Sequence, residues 1–193
     1  MPAAQIAGIA DYIIAHNYYT PYQENSTVST ILNSPLKTKD FKDYINNGLK
    51  THANHSPLPI ALTEWNIFAE GSKQQVSFIN GMHAALVVGE AMKNQLGLAC
   101  RWDFMNGWNE GNSHGLFADG ETDIARYTPR APFFYLYYFQ KFFGDKLVYS
   151  NSSNSNIVSY ASVFSSGPSA IVLLNKGNNE QIVMLRLNDF KTG

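Results

Sequence analysis

Apolar residues along this chain follow two kinds of pattern, and the change from one to the other falls near Gly144. Up to that point, short apolar runs alternate with longer segments of helical spacing. Ile9 to Tyr19 reads as a buried strand ending in His16, Asn17, Tyr18 and Tyr19. Residues 20–35, rich in Thr, Ser, Asn and Pro, read as a loop. Lys39 to Lys50 then sets Phe41, Tyr44, Ile45 and Leu49 at helical spacing, with Gly48 as its frayed end. Leu58 to Glu64 is a second strand. Ser72 is the expected N-cap of a helix from Lys73 to Gln95, with Val76, Ile79, His83, Leu86, Val87 and Met92 on or near one face. Gly97 stops it. Leu98 to Phe104 is a third strand, a long loop covers Met105 to Arg130, and Pro132 opens an aromatic helix over Phe133 to Phe143. Strand followed by helix three times over predicts right-handed parallel βαβ units.

Beyond Gly144 the runs shorten. Lys146–Tyr149, Ile157–Phe164, Ala170–Asn175 and Ile182–Leu187 read as strands, separated by turns at Asn151–Asn156 and Lys176–Asn179. They predict an antiparallel meander. The expected organisation is therefore an α/β unit over residues 1–144 and a small antiparallel β domain, cut short, over 145–193.

Composition narrows the classes. With 45% hydrophobic and 15% charged residues among 193, the chain is built to fold. A net charge of −1 without a basic run argues against a nucleic-acid surface. No stretch approaches the ~20 apolar residues of a membrane span, and the first fifteen residues lack the layout of a signal peptide. Aromatic residues reach 13%, which suits an aromatic core and equally a cleft that stacks on sugar rings. Cys100 stands alone in an apolar run, which predicts a buried, inert thiol and rules out a Cys-based metal site. Asn25, Asn54 and Asn151 open glycosylation sequons of the kind that a Ser- and Asn-rich chain contains by chance.

The candidate chemistry lies where the strands end. Pro59 to Leu62 is an apolar run that leads through Thr63 into Glu64, Trp65 and Asn66. An unpartnered carboxylate inside a strand core costs several kcal/mol, roughly, whereas one at the carboxyl end of a parallel strand points into a loop-built cleft. If the three strands are adjacent, His16, Tyr18 or Tyr19, Glu64, Trp65, Asn66, Trp102 and Asn106 share one rim. A carboxylate among a Tyr hydroxyl, a His and a Trp face has the makings of a glycosidase nucleophile. An ion pair with Arg101 or a loop cap is the structural alternative for Glu64. Tyr18 and Tyr19 are adjacent, so a regular strand turns at most one of them inward. Asp119, Glu121 and Asp123 fit no calcium loop and read as solvated loop acids, so neither metal nor cofactor is expected.

Strand ends reading His-Asn-Tyr-Tyr and then Leu-Thr-Glu-Trp-Asn, followed by a Trp-bearing strand, an aromatic helix and a β domain, resemble the retaining glycoside hydrolases of clan A. The similarity is greatest to the arabinofuranosidase, xylosidase and agarase-like branches. The resemblance implies a (β/α)8 (TIM) barrel with an appended β-sandwich-like domain and a carbohydrate substrate. It makes Glu64 the nucleophile that closes strand seven, His16 with Tyr18 or Tyr19 the groups that orient it, and Trp102 the aromatic floor of the sugar subsite. It also implies an exported enzyme of polysaccharide degradation.

The chain departs from that family in one respect. The family's acid/base Glu, in an Asn-Glu pair at strand four, has no counterpart upstream of Glu64. A full barrel needs about 250 residues, so the sequence reads as the last three βα units of a barrel plus the β domain. Trp108-Asn109-Glu110-Gly111 mimics the missing signature but follows Glu64, and Trp108 and Glu110 are expected at the cleft entrance. Three barrel strands leave two open edges and a bare apolar face, which predicts self-association or a complementary N-terminal half. A non-catalytic carbohydrate-binding or assembly piece is the competing expectation.

Overall fold

The computed structural model describes residues 10–22, 24–68, 74–107, 113–121 and 123–187. It is an α/β structure with a three-stranded parallel sheet, helices packed on one of its faces, and a three-stranded antiparallel sheet after them. Strand β1 (Ile13–Tyr18) leads to helices α1 (Val28–Asn33) and α2 (Thr38–Ala53), then to β2 (Ile60–Asn66), α3 (Phe78–Lys93) and β3 (Leu98–Arg101). A two-residue parallel ladder, β4 (Met105–Asn106) with β5 (Phe117–Ala118), lies where the sequence predicts only loop. Helix α4 (Ala131–Phe142) and strands β6 (Lys146–Val148), β7 (Ile157–Val163) and β8 (Ser169–Asn175) complete the chain of elements.

The parallel sheet runs in the order β1-β2-β3, so both outer strands are edges. Its pairing carries an irregularity that places the site. Ala15 pairs with Leu62 but His16 pairs with Glu64, and on the other side Leu62 pairs with Ala99 but Trp65 with Arg101. One extra residue of β2 is therefore accommodated between Leu62 and Glu64, a β-bulge. Regular alternation would send Leu62 and Glu64 to the same face. With the bulge, Leu62 and Trp65 both face the helices, where they pack with Ala84 and Val87 of α3, and Glu64 turns to the opposite face beside His16.

Helix α3 is the hub of the packing. Ser77 caps it, its side chain accepting from the Asn80 N–H. Two glycines let aromatic rings lie against its backbone: a Cβ on Gly81 would stand 2.3 Å from the Tyr135 ring of α4, and one on Gly89 2.3 Å from the Tyr160 ring of β7. The Tyr160 hydroxyl donates to the buried Glu90 carboxylate at 3.0 Å. Tyr160 and Leu174 of the antiparallel sheet thus share one core with Leu86, Phe139, Ile31 and Ile67.

Several expectations are corrected. Helix α2 runs past Gly48 and closes at Asn54 in the left-handed conformation, because one glycine costs a packed helix only about 1 kcal/mol. Residues 28–37 are helical and not loop, capped by Thr27 accepting from the Thr30 N–H. Helix α3 begins at Phe78, not Lys73; Ser72 and Lys73 lie outside the described residues. Ile182 to Leu187 form no strand. They are apolar at every position but Arg186, yet they pair with neither edge of the antiparallel sheet, and Ile182, Met184 and Leu187 stand exposed. Cys100 is exposed, not buried, because its side of β3 faces away from the helices. No described helix is long and apolar enough to cross a membrane.

Candidate active site

Glu64 sits on β2 with two side chains of β1 on its carboxylate. The Tyr18 hydroxyl donates to Oε1, and the His16 Nδ1 lies 3.3 Å from Oε2. His16 and Tyr18 are two residues apart on one strand, so the pleat points both the same way. Burial, the hydrogen bond to Glu64 and its negative charge push the Tyr18 hydroxyl well above its ordinary titration range. It therefore stays protonated and serves Glu64 only as a donor. Tyr19 turns the other way, with its hydroxyl 3.2 Å from Thr38 Oγ1 and its ring edge-on to His83.

Two aromatic groups that the sequence reading missed, Phe68 and His114, close around Tyr18. The three rings stand edge-to-face, with centroids 5.5 Å apart for Tyr18 and Phe68, 5.9 Å for Tyr18 and His114, and 6.1 Å for Phe68 and His114. Phe68 is pinned to the end of β1: its N–H donates to Thr20 Oγ1 at 2.7 Å, and that hydroxyl donates back to the Phe68 carbonyl at 3.0 Å. Burial and the nearby Arg101 guanidinium lower the His114 imidazole to about 4, so it is neutral at ordinary pH. Neither residue carries a local sequence signal, since every one of these contacts spans dozens of positions. Beside the cleft a groove of about 610 Å³ runs past Asn17, Tyr18, Tyr19, Thr30, Asn33 and Lys37, a volume within the usual range for small-ligand sites.

The remaining expected site residues separate into groups. Trp102 stands at the rim, 46% exposed. Trp65 and Asn66 are fully buried, so the expectation that they hold substrate does not fit. The strand continues through both of them after Glu64, and they end up under α3. Trp65 packs in the core, whereas Asn66 donates to the Trp102 carbonyl at 2.5 Å. Asn106 is tied to its own loop, its Oδ1 accepting from the Gly115 N–H at 2.8 Å and from Ser113 at 3.3 Å. Trp108 and Glu110 lie outside the described residues.

Arg101 is not the partner of Glu64. Its Nη1 donates to the His114 and Asp103 carbonyls, and burial lowers the guanidinium to about 9. Of the loop acids, Asp119 pairs with Arg126 at 2.9 Å. Glu121 forms a nearly buried ion pair with Arg130, which corrects the expectation of a solvated carboxylate. Among the described residues, no group of three or more His, Cys, Asp or Glu is placed to hold a metal ion.

The fold has relatives among solved glycoside hydrolases. A GH51 arabinofuranosidase from Xanthomonas axonopodis pv. citri superposes with a TM-score of 0.60 at 13% identity, over 86% of this chain and 38% of that one. A 4-O-α-L-rhamnosyl-β-D-glucuronidase from Fusarium oxysporum 12S gives 0.58 at 14%, over 84% and 34%. A family 44 xyloglucanase from Paenibacillus polymyxa gives 0.56 at 17%, over 89% and 36%. The chain thus spans little more than a third of the solved structures it matches. At these identities the likeness is one of fold alone. No protein-family model matches the chain, and no curated protein matches it in sequence.

Proposed function

We propose that this chain is the nucleophile-bearing part of a retaining glycoside hydrolase, acting on a polysaccharide or its oligomers. The observation that carries the reading is the convergence of Tyr18 and His16 on the Glu64 carboxylate, at a rim that also bears Trp102. The fold shared with glycoside hydrolases supports it. In this reading a Glu64 oxygen attacks the anomeric carbon of the sugar, the glycosidic bond breaks, and the leaving oxygen takes a proton from a carboxylic acid. Water then releases the glycosyl group from Glu64. Tyr18 fixes the plane of the carboxylate, and Trp102 offers a stacking face to the ring. The three parallel strands belong, in this proposal, to an eight-stranded barrel completed by a complementary segment, which also supplies the acid.

A second reading, a carbohydrate-binding or assembly unit without turnover, rests on one observation. The partners of the Glu64 carboxylate among the described residues are Tyr18 and His16, and neither is a carboxylic acid. Intact mass after incubation with 2-fluoro glycosides bearing good leaving groups separates the two. Such reagents require the nucleophile and little help from an acid. A glycosyl adduct mapped to Glu64, and absent in Glu64→Gln, is the result expected of the hydrolase. A folded protein that binds sugars but is labelled by no reagent in the panel would leave the binding reading.

A further inference from the structure

The end of β2 is held by a buried relay of side-chain amides. Asn66 Oδ1 accepts from the Ile67 N–H at 2.8 Å and from Asn80 Nδ2 at 3.1 Å, and its Nδ2 donates to the Trp102 carbonyl at 2.5 Å. Asn80, in the first turn of α3, also donates to the Gln75 carbonyl at 2.6 Å, and Gln75 Nε2 donates to the Ile67 carbonyl at 3.2 Å. Asn66, Gln75 and Asn80 have no solvent exposure. On its other side the Trp102 N–H donates to the Trp65 carbonyl at 3.0 Å. Both peptide groups that flank the Trp102 Cα are therefore fastened to the residues immediately after Glu64, while the indole itself stands open at the rim.

Burying three amides is a costly way to fill a core, since each needs partners that an apolar residue would not. One of these amides, Asn66, reaches the carbonyl of the exposed Trp102, and Asn80 holds the Oδ1 of that same side chain. We propose that Asn80, acting through Asn66, is a positioning residue that sets the Trp102 indole against Glu64 as the platform for the bound sugar ring. The proposal rests on the carbohydrate reading of the Glu64 cleft. It predicts that Asn80 contributes to ligand binding at Trp102 and leaves the reaction at Glu64 alone. Asn80→Asp tests this, because it keeps the shape of the side chain but replaces the donating Nδ2 by an acceptor.

The experiment is a double-mutant cycle with Trp102→Ala, read by the kinetics of 2-fluoro glycoside labelling of Glu64. Asn80→Asp should raise the half-saturating reagent concentration by about tenfold and change the limiting rate less than about twofold. In the Trp102→Ala background the same substitution should add nothing further, because the platform it positions is gone. A merely structural Asn80 would keep its full effect in that background, and this result would overturn the proposal while the carbohydrate reading stood. If wild-type protein is labelled by no reagent and no sugar shifts the Trp102 indole resonance, the reading of the cleft fails and takes the proposal with it. Asn80→Ser, run in the same cycle, replaces Asn80→Asp should that variant not fold.

Discussion

Leu62 and Glu64 lie two residues apart on one strand, yet they belong to opposite faces of the sheet. Leu62 has no solvent exposure and packs under α3 with Trp65, Ala84 and Val87. Glu64 faces away from the helices, together with His16 and Tyr18. The open face also carries Ile14, which is 60% exposed, and Leu98, which is 48% exposed. The covered face concentrates the burial that holds the fold together, and the open face holds the groups with chemistry. The bulge in β2 is what makes this division possible, since a regular strand would have put the carboxylate in the helix-side core.

The sharpest test of this division is a matched pair of truncations. Leu62→Ala leaves a cavity under α3 and should cost about 2–5 kcal/mol of unfolding free energy. Ile14→Ala, on the neighbouring strand but the open face, should stay within about 1 kcal/mol. Urea unfolding of both variants measures the contrast. Comparable losses would mean that the open face is covered in solution.

The covered face also sets a pH dependence. His83 is enclosed between the Tyr19 and Trp65 rings, neither of its ring nitrogens has a hydrogen-bond partner among the described residues, and burial lowers it from 6.5 to about 3. An unfolded chain binds a proton at His83 near pH 6.5, whereas the folded one refuses it until far lower. The contribution to stability is therefore complete above 6.5 and is lost as pH falls from there towards 3. His114 on the Tyr18 side, lowered to about 4, acts with the same sign. The unfolding free energy read from urea should fall on acidification, by an amount on the order of 5 kcal/mol for His83 alone. His83→Leu should remove that share and cost little at neutral pH, because it deletes two unsatisfied polar atoms.

How far the sequence carried these conclusions differs between the two faces. The apolar runs at Ile60–Leu62 and Leu98–Ala99 predict the strands, and the spacing of Leu86 and Val87 predicts the face of the helix between them, because burial on one side writes a period into the chain. Glu64 at the end of such a run could be singled out by the cost of burying its charge. The bulge, however, leaves no mark on composition or period, so the continuation of β2 through Trp65 and Asn66, and their burial, stay hidden. Phe68, Asn80 and His114 take their roles from contacts between distant segments, to which a local pattern is blind. Ile182–Leu187 shows the opposite error. A short apolar run is not a strand until an edge receives it.

On the open face, substitutions should act on chemistry more than on stability. Tyr18→Phe removes the donor to Glu64 but keeps the ring against Phe68 and His114. Its unfolding free energy should drop by no more than about 1.5 kcal/mol, the usual range for one partly exposed hydrogen bond. Labelling of Glu64 by a 2-fluoro glycoside should slow by a far larger factor than this loss of stability would imply, because the carboxylate loses the bond that fixes its plane. Equal labelling rates in Tyr18→Phe and wild type would separate Tyr18 from the chemistry.

The smallest expected effect reports most directly on what lies over the open face. Cys100 is exposed on β3, next to the edge of the sheet, so Cys100→Ser should change stability by less than about 0.5 kcal/mol. Because the thiol is accessible in the fold, a disulfide reagent should react with native protein at nearly the rate it shows with the urea-unfolded chain. That holds for a dilute chain whose open face meets water. If a second copy covers Ile14, Leu98 and Cys100, the reaction should slow as protein concentration rises, and recover on dilution. A complementary barrel segment would instead slow it in proportion to the segment added, whatever the concentration of the chain itself. A native thiol that is slow at every dilution and without any partner would show that this face is closed within the single chain, and the contrast between the two faces of the sheet would fall.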